Sequence, residues 1–173
     1  LYEQALQVQL RAYGDNHMEV ARARGNLAGV LRQLGNYQAA KGLYEQALQV
    51  QLRAYGDDHV SVAITRGNLA NTEEALGNYQ AAKGLYEQAL QVQRRAYGDD
   101  HVSVAITRGN LAGTEEALGN YQAAKGLYEQ ALQVQRRAYG DDHVSVAITR
   151  GNLAGTEEAL GNYQAAKGLY EQA

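Results

Sequence analysis

The residues best suited to chemistry are charged side chains that recur at a fixed spacing. Asp99, Asp100 and His101 follow a glycine and return along the chain, and carboxylate and imidazole groups of this kind can bind a metal ion. The same residues beside a glycine also fit a turn and a helix N-cap. Because the spacing supplies no further converging ligand, we predict no metal site and no cofactor.

Paired carboxylates are the second candidate for chemistry. Glu115 and Glu116 are adjacent and could serve acid–base catalysis. No nucleophile with a nearby base and no phosphate-cradling glycine loop accompanies the pair. We therefore predict that no residue of this sequence is catalytic and that the chain is not an enzyme.

The elements that carry these residues are copies of one unit. Segment 59–100 recurs as 101–142 with a single change, from Asn71 to Gly113, and a further copy starts at 143 and runs unchanged to 173. Tandem units of this length stack on their neighbours. We predict one repeat array over 1–173, which we interpret as a piece of a longer array. Its parts are a partial helix B at 1–14, a divergent copy at 17–58, and the copies 59–100, 101–142 and a truncated 143–173.

Turn residues divide each copy into two helices. Gly77-Asn78 and the glycine-aspartate cluster at Gly98 are the only turn-like clusters, and the residues between them have helical spacing. The spacing predicts helix A over Val60–Leu76 and helix B over Tyr79–Tyr97, which the two-residue link makes antiparallel. The candidate N-cap residues are Asp57, Asp58 or His59 for helix A and Asn78 for helix B.

Two charges interrupt the apolar stripe of helix A. Val62, Arg66, Leu69, Glu73 and Leu76 are three or four residues apart and share one face. A buried carboxylate needs a partner. The recurrent arginines of adjacent repeats could supply it and form an Arg–Glu ladder, or both side chains could reach water from the edge of the stripe.

Composition excludes several classes of function. The 173 residues carry a net charge of −3, and lysine and arginine are scattered instead of forming a basic stripe, so we predict no nucleic-acid partner. Cysteine is absent, which excludes disulfides. No leader and no long apolar run are visible, so we expect no membrane insertion and, by default, a cytoplasmic location.

Several short motifs recur in register. Asn110-Leu111-Ala112 precedes Leu118-Gly119-Asn120-Tyr121, then come Ala124 and the run from Leu127 to Leu132, and Gly98 to His101 links the copies. With these motifs the whole chain resembles the tetratricopeptide repeat, in the longer form found in kinesin light chains and in arrays of some nucleotide-binding signalling ATPases. The resemblance implies an all-α, right-handed superhelical solenoid of antiparallel helix pairs. Where that family usually has proline after the linker histidine, this chain has Met18, Val60, Val102 and Val144.

The resemblance also implies a function, which is to bind a peptide or partner protein along a concave groove lined by helix A. The polar groove residues carried over from it are Arg22, Asn26, Arg32, Asn68, Asn71, Glu74, Asn110, Glu116, Asn152 and Glu158. Further groove positions are Ile64, Ile106 and Ile148, with glycines and alanines between them.

The groove chemistry favours a particular partner. The recurrent asparagine amides each offer a donor and an acceptor, which suits a peptide bond, although they could instead bond the backbone of the array. Glu74, Glu116 and Glu158 outnumber Arg22 and Arg32, so we expect a basic or mixed-charge partner.

Glycine inside helix A costs about 1 kcal/mol relative to alanine. Even so, Gly109 and Gly113 lie one turn apart, as do Gly151 and Gly155. We expect neighbouring A helices to approach closely at these positions. The other explanation is a groove floor kept bare for the backbone of a ligand.

Two alternative functions remain open. The chain could be a structural array that stacks head to tail with further copies of itself through its end faces. It could also be the sensor array of a nucleotide-binding signalling ATPase. This alternative rests on the resemblance alone.

Overall fold

The chain is described by a computed structural model that covers the backbone of residues 2–172 and the side chains of 4–172. Over these residues it forms nine α-helices and no strand. Even-numbered helices are the predicted A helices, and odd-numbered helices are B helices. The bounds are α1 Tyr2–Tyr13, α2 Met18–Gln33, α3 Tyr37–Tyr55, α4 Val60–Ala75, α5 Tyr79–Tyr97, α6 Val102–Ala117, α7 Tyr121–Tyr139, α8 Val144–Ala159 and α9 Tyr163–Tyr170.

The helices group into two compact units, Leu1–Val92 and Gln93–Ala173. In the first unit α2 packs on α1 and α3, and α3 packs on α4; in the second unit α6, α7, α8 and α9 pack in the same sequential order. The core of a repeat is small and well buried. In the third copy, for example, Ala112 and Ala124 are fully buried beside Tyr128, which is 3 % exposed.

Every A helix begins at a histidine cap. The Nδ1 atom of His17, His59, His101 or His143 accepts a hydrogen bond from the backbone N–H two residues later, at 3.1–3.2 Å. Each imidazole also stacks on the tyrosine that ends the preceding B helix, with ring centroids 4.2–4.6 Å apart. Of the three predicted cap candidates, the histidine is therefore the one that caps the helix.

Every A helix ends at a glycine with positive φ. In the second copy Gly77 has φ 78°, its N–H donates to the Glu74 carbonyl at 2.8 Å, and the Asn78 N–H donates to the Glu73 carbonyl at 2.8 Å. This pair of bonds is the Schellman motif. The asparagine occupies the N-cap position of helix B, as predicted, at Asn36, Asn120 and Asn162, but its side chain makes no capping hydrogen bond there.

The buried arginine of each A helix binds the turn before that helix. Arg66 is 5 % exposed; its guanidinium donates to the Asp57 carbonyl at 3.2 Å and pairs with the Asp57 carboxylate. The same arrangement joins Arg24 to Asp15, Arg108 to Asp99 and Arg150 to Asp141. The Arg–Glu ladder, one of the two alternatives that the sequence left open, is therefore contradicted.

The buried glutamates pair with lysines instead. Glu73 is 5 % exposed and lies 2.7 Å from Lys41 Nζ, which belongs to the B helix of the preceding copy. Glu157 pairs with Lys125 in the same way at 2.7 Å. The asparagine that precedes the next B helix completes each site, since Asn78 Nδ2 donates to Glu73 at 2.8 Å and Asn162 Nδ2 donates to Glu157 at 2.7 Å. Of the two alternatives that the sequence left open, the one with side chains that reach water is therefore wrong for the glutamates, which are buried and paired, and the partner is a lysine 32 residues earlier.

Candidate functional site

One side of each A helix stays exposed after the helices pack. In α6 this side carries Ile106, Asn110, Gly113 and Glu116, which lie on successive turns because they are three or four residues apart. Val104, Arg108, Leu111 and Glu115 lie on the opposite side and are buried. We call the exposed side, with its equivalents on α2, α4 and α8, the A-helix face.

All ten predicted polar site residues lie on this face, and none is fully buried. The exposed ones are Arg22, Asn26, Asn152 and Glu158, and the half-buried ones are Arg32, Asn68, Asn71, Glu74, Asn110 and Glu116. Each unit therefore presents the predicted residues as a surface built from its own A helices.

The asparagines at the centre of the face use their backbone within the fold. The Thr72 hydroxyl donates to the Asn68 carbonyl at 2.9 Å, and Thr156 does the same to Asn152 at 3.0 Å. Over residues 4–172, the side-chain amides of Asn26, Asn68 and Asn152 make no hydrogen bond. At these three positions the amides therefore do not bond the backbone of the array, and they remain able to pair with a ligand.

Tyrosine hydroxyls lie directly beneath the face. The Tyr86 hydroxyl is 2.6 Å from Asn71 Oδ1 and 2.9 Å from Glu74 Oε2, and its single proton serves one of them. Burial first, and then the charge of Glu74, raises the pKa of Tyr86. Sequence reasoning did not single out this tyrosine, whose ring is buried and whose hydroxyl contacts the face. A sequence signal for this contact exists, because the residue fifteen positions before the tyrosine is small or an amide, as Asn71 is here.

The first copy differs because Arg32 stands where later copies carry glutamate. Over the described residues, Arg32 Nε is buried and has no hydrogen-bond partner. Burial raises the pKa of Tyr44, and the neighbouring Arg32 charge opposes that rise. Arg22, on the same helix, pairs with Glu19 at 2.5 Å. The A-helix face of α2 is thus the basic part of the first unit.

The glycines of the face do not bring neighbouring A helices together. A Cβ atom added at Gly25, Gly67, Gly109 or Gly151 would meet nothing within 4 Å. At Gly29 and Gly113 it would lie 3.4 Å from a tyrosine hydroxyl of the following B helix. The expectation that neighbouring A helices approach each other closely at these glycines is therefore wrong, and the open glycines leave the floor of the face bare.

The structure adds two findings about other classes of site. Among the residues it describes, no group of three or more histidine, cysteine, aspartate or glutamate side chains could hold a metal ion. Within the same residues, every helix is too short or too polar to cross a membrane.

Comparison with known families places the fold. The family model described as tetratricopeptide repeat matches residues 1–53, 19–95, 61–133 and 103–173, which together span the chain. The chain is a tetratricopeptide repeat (TPR) protein. A search of curated proteins found no match.

Solved structures resemble this TPR protein closely in fold. BtubC (BKLC) from P. vanneervenii matches with a TM-score of 0.88 at 22 % identity, over 99 % of this chain and 68 % of that one. A Podosopora anserina protein named as a kinesin light chain, with nearly identical TPR-like repeats, matches with a TM-score of 0.85 at 28 % identity, over 99 % of this chain and 81 % of that one. The apo form of RapI matches with a TM-score of 0.85 at 17 % identity, over 99 % of this chain and 60 % of that one.

These comparisons confirm the predicted fold class. The chain is an all-α solenoid of antiparallel helix pairs, and its relatives in structure include kinesin light chain-like repeat proteins. TPR arrays are generally non-catalytic scaffolds that mediate protein–protein interaction, and they typically bind proteins or peptides.

Proposed function

We propose that this TPR protein binds a peptide, or an extended segment of a partner protein, along the A-helix face. The observation that carries the proposal is the recurrence of a solvent-accessible asparagine amide, exposed at Asn26 and Asn152 and half-buried at Asn68, with no hydrogen bond to the described residues. Such an amide can donate to one main-chain group of a ligand and accept from another.

Charge on the face favours a basic or mixed-charge partner. Glu74, Glu116 and Glu158 occupy the last turn of three successive A helices, whereas Arg22 and Arg32 lie on α2. Complementary charge of this kind contributes mainly to selectivity and to the association rate.

The test is an unbiased peptide-display selection against the full chain, followed by affinity measurements on the selected peptides. Replacing Asn110→Ala and Asn152→Ala together should weaken binding by about tenfold or more, since each lost hydrogen bond contributes about 1 kcal/mol. Gln130→Ala, which removes an exposed amide from helix α7 outside the face, should leave the affinity unchanged. Ligands that are insensitive to both asparagine substitutions would contradict the proposal.

A second candidate, self-association, is favoured by one observation. Tyr163 and Tyr170 on α9 are 67 % and 51 % exposed, whereas Tyr128, the counterpart of Tyr170, is 3 % exposed. With Lys167 and Glu158 these tyrosines line a cavity of about 400 Å³. Exposed aromatic surface of this kind can bind another copy of the chain.

A further inference from the structure

The A-helix face of the second unit is divided along each helix. Ile106 and Ile148, near the start of α6 and α8, are 50 % and 59 % exposed. Glu116 and Glu158 lie ten residues later, near the ends of the same helices. Ten residues correspond to about 15 Å along a helix axis. We call the two isoleucines the apolar lane and the two glutamates the acidic lane.

The acidic lane has no compensating cation on its own helices. The remaining charged residues of α6 and α8 are Arg108, Glu115, Arg150 and Glu157, and each is only 5–6 % exposed. Both arginines are held by an aspartate of the preceding turn. Glu116, which is half-buried, and Glu158, which is exposed, therefore carry the solvent-accessible charge of these two helices, and this charge is negative.

Between the lanes the surface is bare and offers amides. A side chain at Gly109 or Gly151 would meet nothing within 4 Å, so the main chain of a ligand can approach the helix closely there. Asn110 and Asn152 directly follow these glycines, and the Asn152 amide makes no hydrogen bond within residues 4–172. The centre of the face is therefore suited to a main chain, and its two edges to side chains.

An extended segment that crosses both helices would meet all three zones. Helices α6 and α8 are in contact, which implies axes about 8–10 Å apart, so a segment needs only a few residues to pass both. In an extended chain, successive side chains point to opposite sides. One set of side chains would then face the apolar lane, and the alternate set would face the acidic lane.

We propose that the partner segment is extended and alternates aliphatic with basic residues. This inference rests on the proposed function, because it assumes that the A-helix face is the binding surface. Aliphatic side chains pack on Ile106 and Ile148, basic side chains pair with Glu116 and Glu158, and the asparagine amides bind the main chain between them. β-Branched aliphatic residues suit such a segment because they also favour the extended conformation.

The order of residues in the ligand provides the decisive test. Fluorescence anisotropy with the full chain compares three labelled synthetic peptides: one that alternates valine with lysine, one of the same composition with all valines before all lysines, and one that alternates valine with glutamate. The alternating valine–lysine peptide should bind at least about tenfold more tightly than either other peptide. Equal affinity for the two valine–lysine peptides would overturn the inference.

Substitutions in the apolar lane test whether its two isoleucines contact the ligand. Ile106→Arg with Ile148→Arg introduces the residue that the first copy carries at this position, Arg22, so the fold accommodates it. The double variant should bind the alternating peptide at least about tenfold more weakly. Gln130→Arg, on the exposed side of α7, adds the same kind of charge outside the face and should not affect the affinity. Unchanged binding by the double variant would contradict the inference.

The display selection separates failure of this inference from failure of the proposed function. If selected peptides depend on Asn110 and Asn152 but show no alternation, the face binds peptides and only the inference is wrong. If no selected peptide depends on these asparagines, the proposed function fails, and the inference fails with it.

Discussion

At the scale of single residues, the repeats are joined by buried charges whose partners come from the preceding turn or from another helix. The guanidinium of each A helix is bound by the aspartate of the turn before it. The carboxylate of Glu73 or Glu157 is bound by a lysine of the preceding copy. Removing one member of such a pair leaves a buried charge without compensation, which is the costly case. These side chains therefore determine how one copy meets its neighbour.

The histidine cap provides the first residue-scale prediction. His101→Ala removes both the bond from the Ser103 N–H and the stack on Tyr97, and should lower the free energy of unfolding by about 2 kcal/mol. His101→Asn keeps an acceptor at the cap and loses only the stack, so it should cost about 1 kcal/mol. Urea unfolding followed by circular dichroism measures both. Equal losses in the two variants would show that the cap bond contributes nothing.

The buried glutamate provides a prediction about acid. The hydrogen bond from Lys125 first, and then that from Asn162, lowers the pKa of Glu157 below its ordinary 4.5. A carboxyl with a lowered pKa in the folded state adds stability that is complete above its unfolded value and is lost as the pH falls through the folded value. The free energy of unfolding should therefore decline below pH 4.5.

The variant that isolates this effect copies the first repeat. Glu157→Leu places there the residue found as Leu31, and Lys125, whose side chain is 24 % exposed, can extend to water. The variant should lose less stability than the parent between neutral pH and about pH 3, as measured by urea unfolding. Glu158→Gln, which changes the adjacent exposed carboxylate, should retain the acid dependence of the parent. An unchanged acid dependence in Glu157→Leu would rule out this pair as its source.

At the scale of helices, most of the architecture could be predicted and the pairing of side chains could not. The glycine and asparagine residues at the turns predicted helix B over Tyr79–Tyr97, and the structure has the same bounds. They predicted helix A over Val60–Leu76, and in the structure this helix ends one residue earlier, at Ala75. The partner of Glu73 was missed because Lys41 is brought to it by packing of α3 on α4, which the spacing within one helix does not encode. The hydroxyl of Tyr86 beneath Asn71 was missed for the same reason.

The open glycines give a prediction about helices and binding together. Gly109 on α6 and Gly126 on α7 both lie inside helices, and a Cβ atom at either would meet nothing within 4 Å. Alanine at each position should therefore raise the free energy of unfolding by up to about 1 kcal/mol. Only Gly109→Ala adds a methyl group to the A-helix face, so it alone should weaken peptide binding.

Thermal unfolding and anisotropy on the same two proteins test this prediction. Gly126→Ala is the matched control, because it shares the stabilisation and lies outside the A-helix face. If Gly109→Ala binds selected peptides as tightly as Gly126→Ala does, the bare floor is not a contact surface for the ligand.

At the scale of the whole molecule, nearly identical copies differ in environment. Tyr128 and Tyr170 occupy the same position in two copies, yet the first is buried and the second is half exposed. The difference arises because Tyr128 belongs to a core cluster that includes Val146 and Leu153 of the following A helix. The same sequence therefore gives a buried tyrosine in one copy and a half-exposed tyrosine in the other.

The surface around Tyr170 gives the last prediction, that the chain self-associates weakly. Sedimentation velocity over a wide range of protein concentrations should show the mean mass rising with concentration, since Tyr163 and Tyr170 present exposed aromatic area. Tyr163→Lys with Tyr170→Lys should abolish the rise, because charge replaces apolar contact. Gln164→Lys, an exposed neighbour on the same helix, should leave the rise in place. A constant monomer mass at every concentration would eliminate self-association through α9, and the A-helix face would then be the only proposed interaction surface left to test.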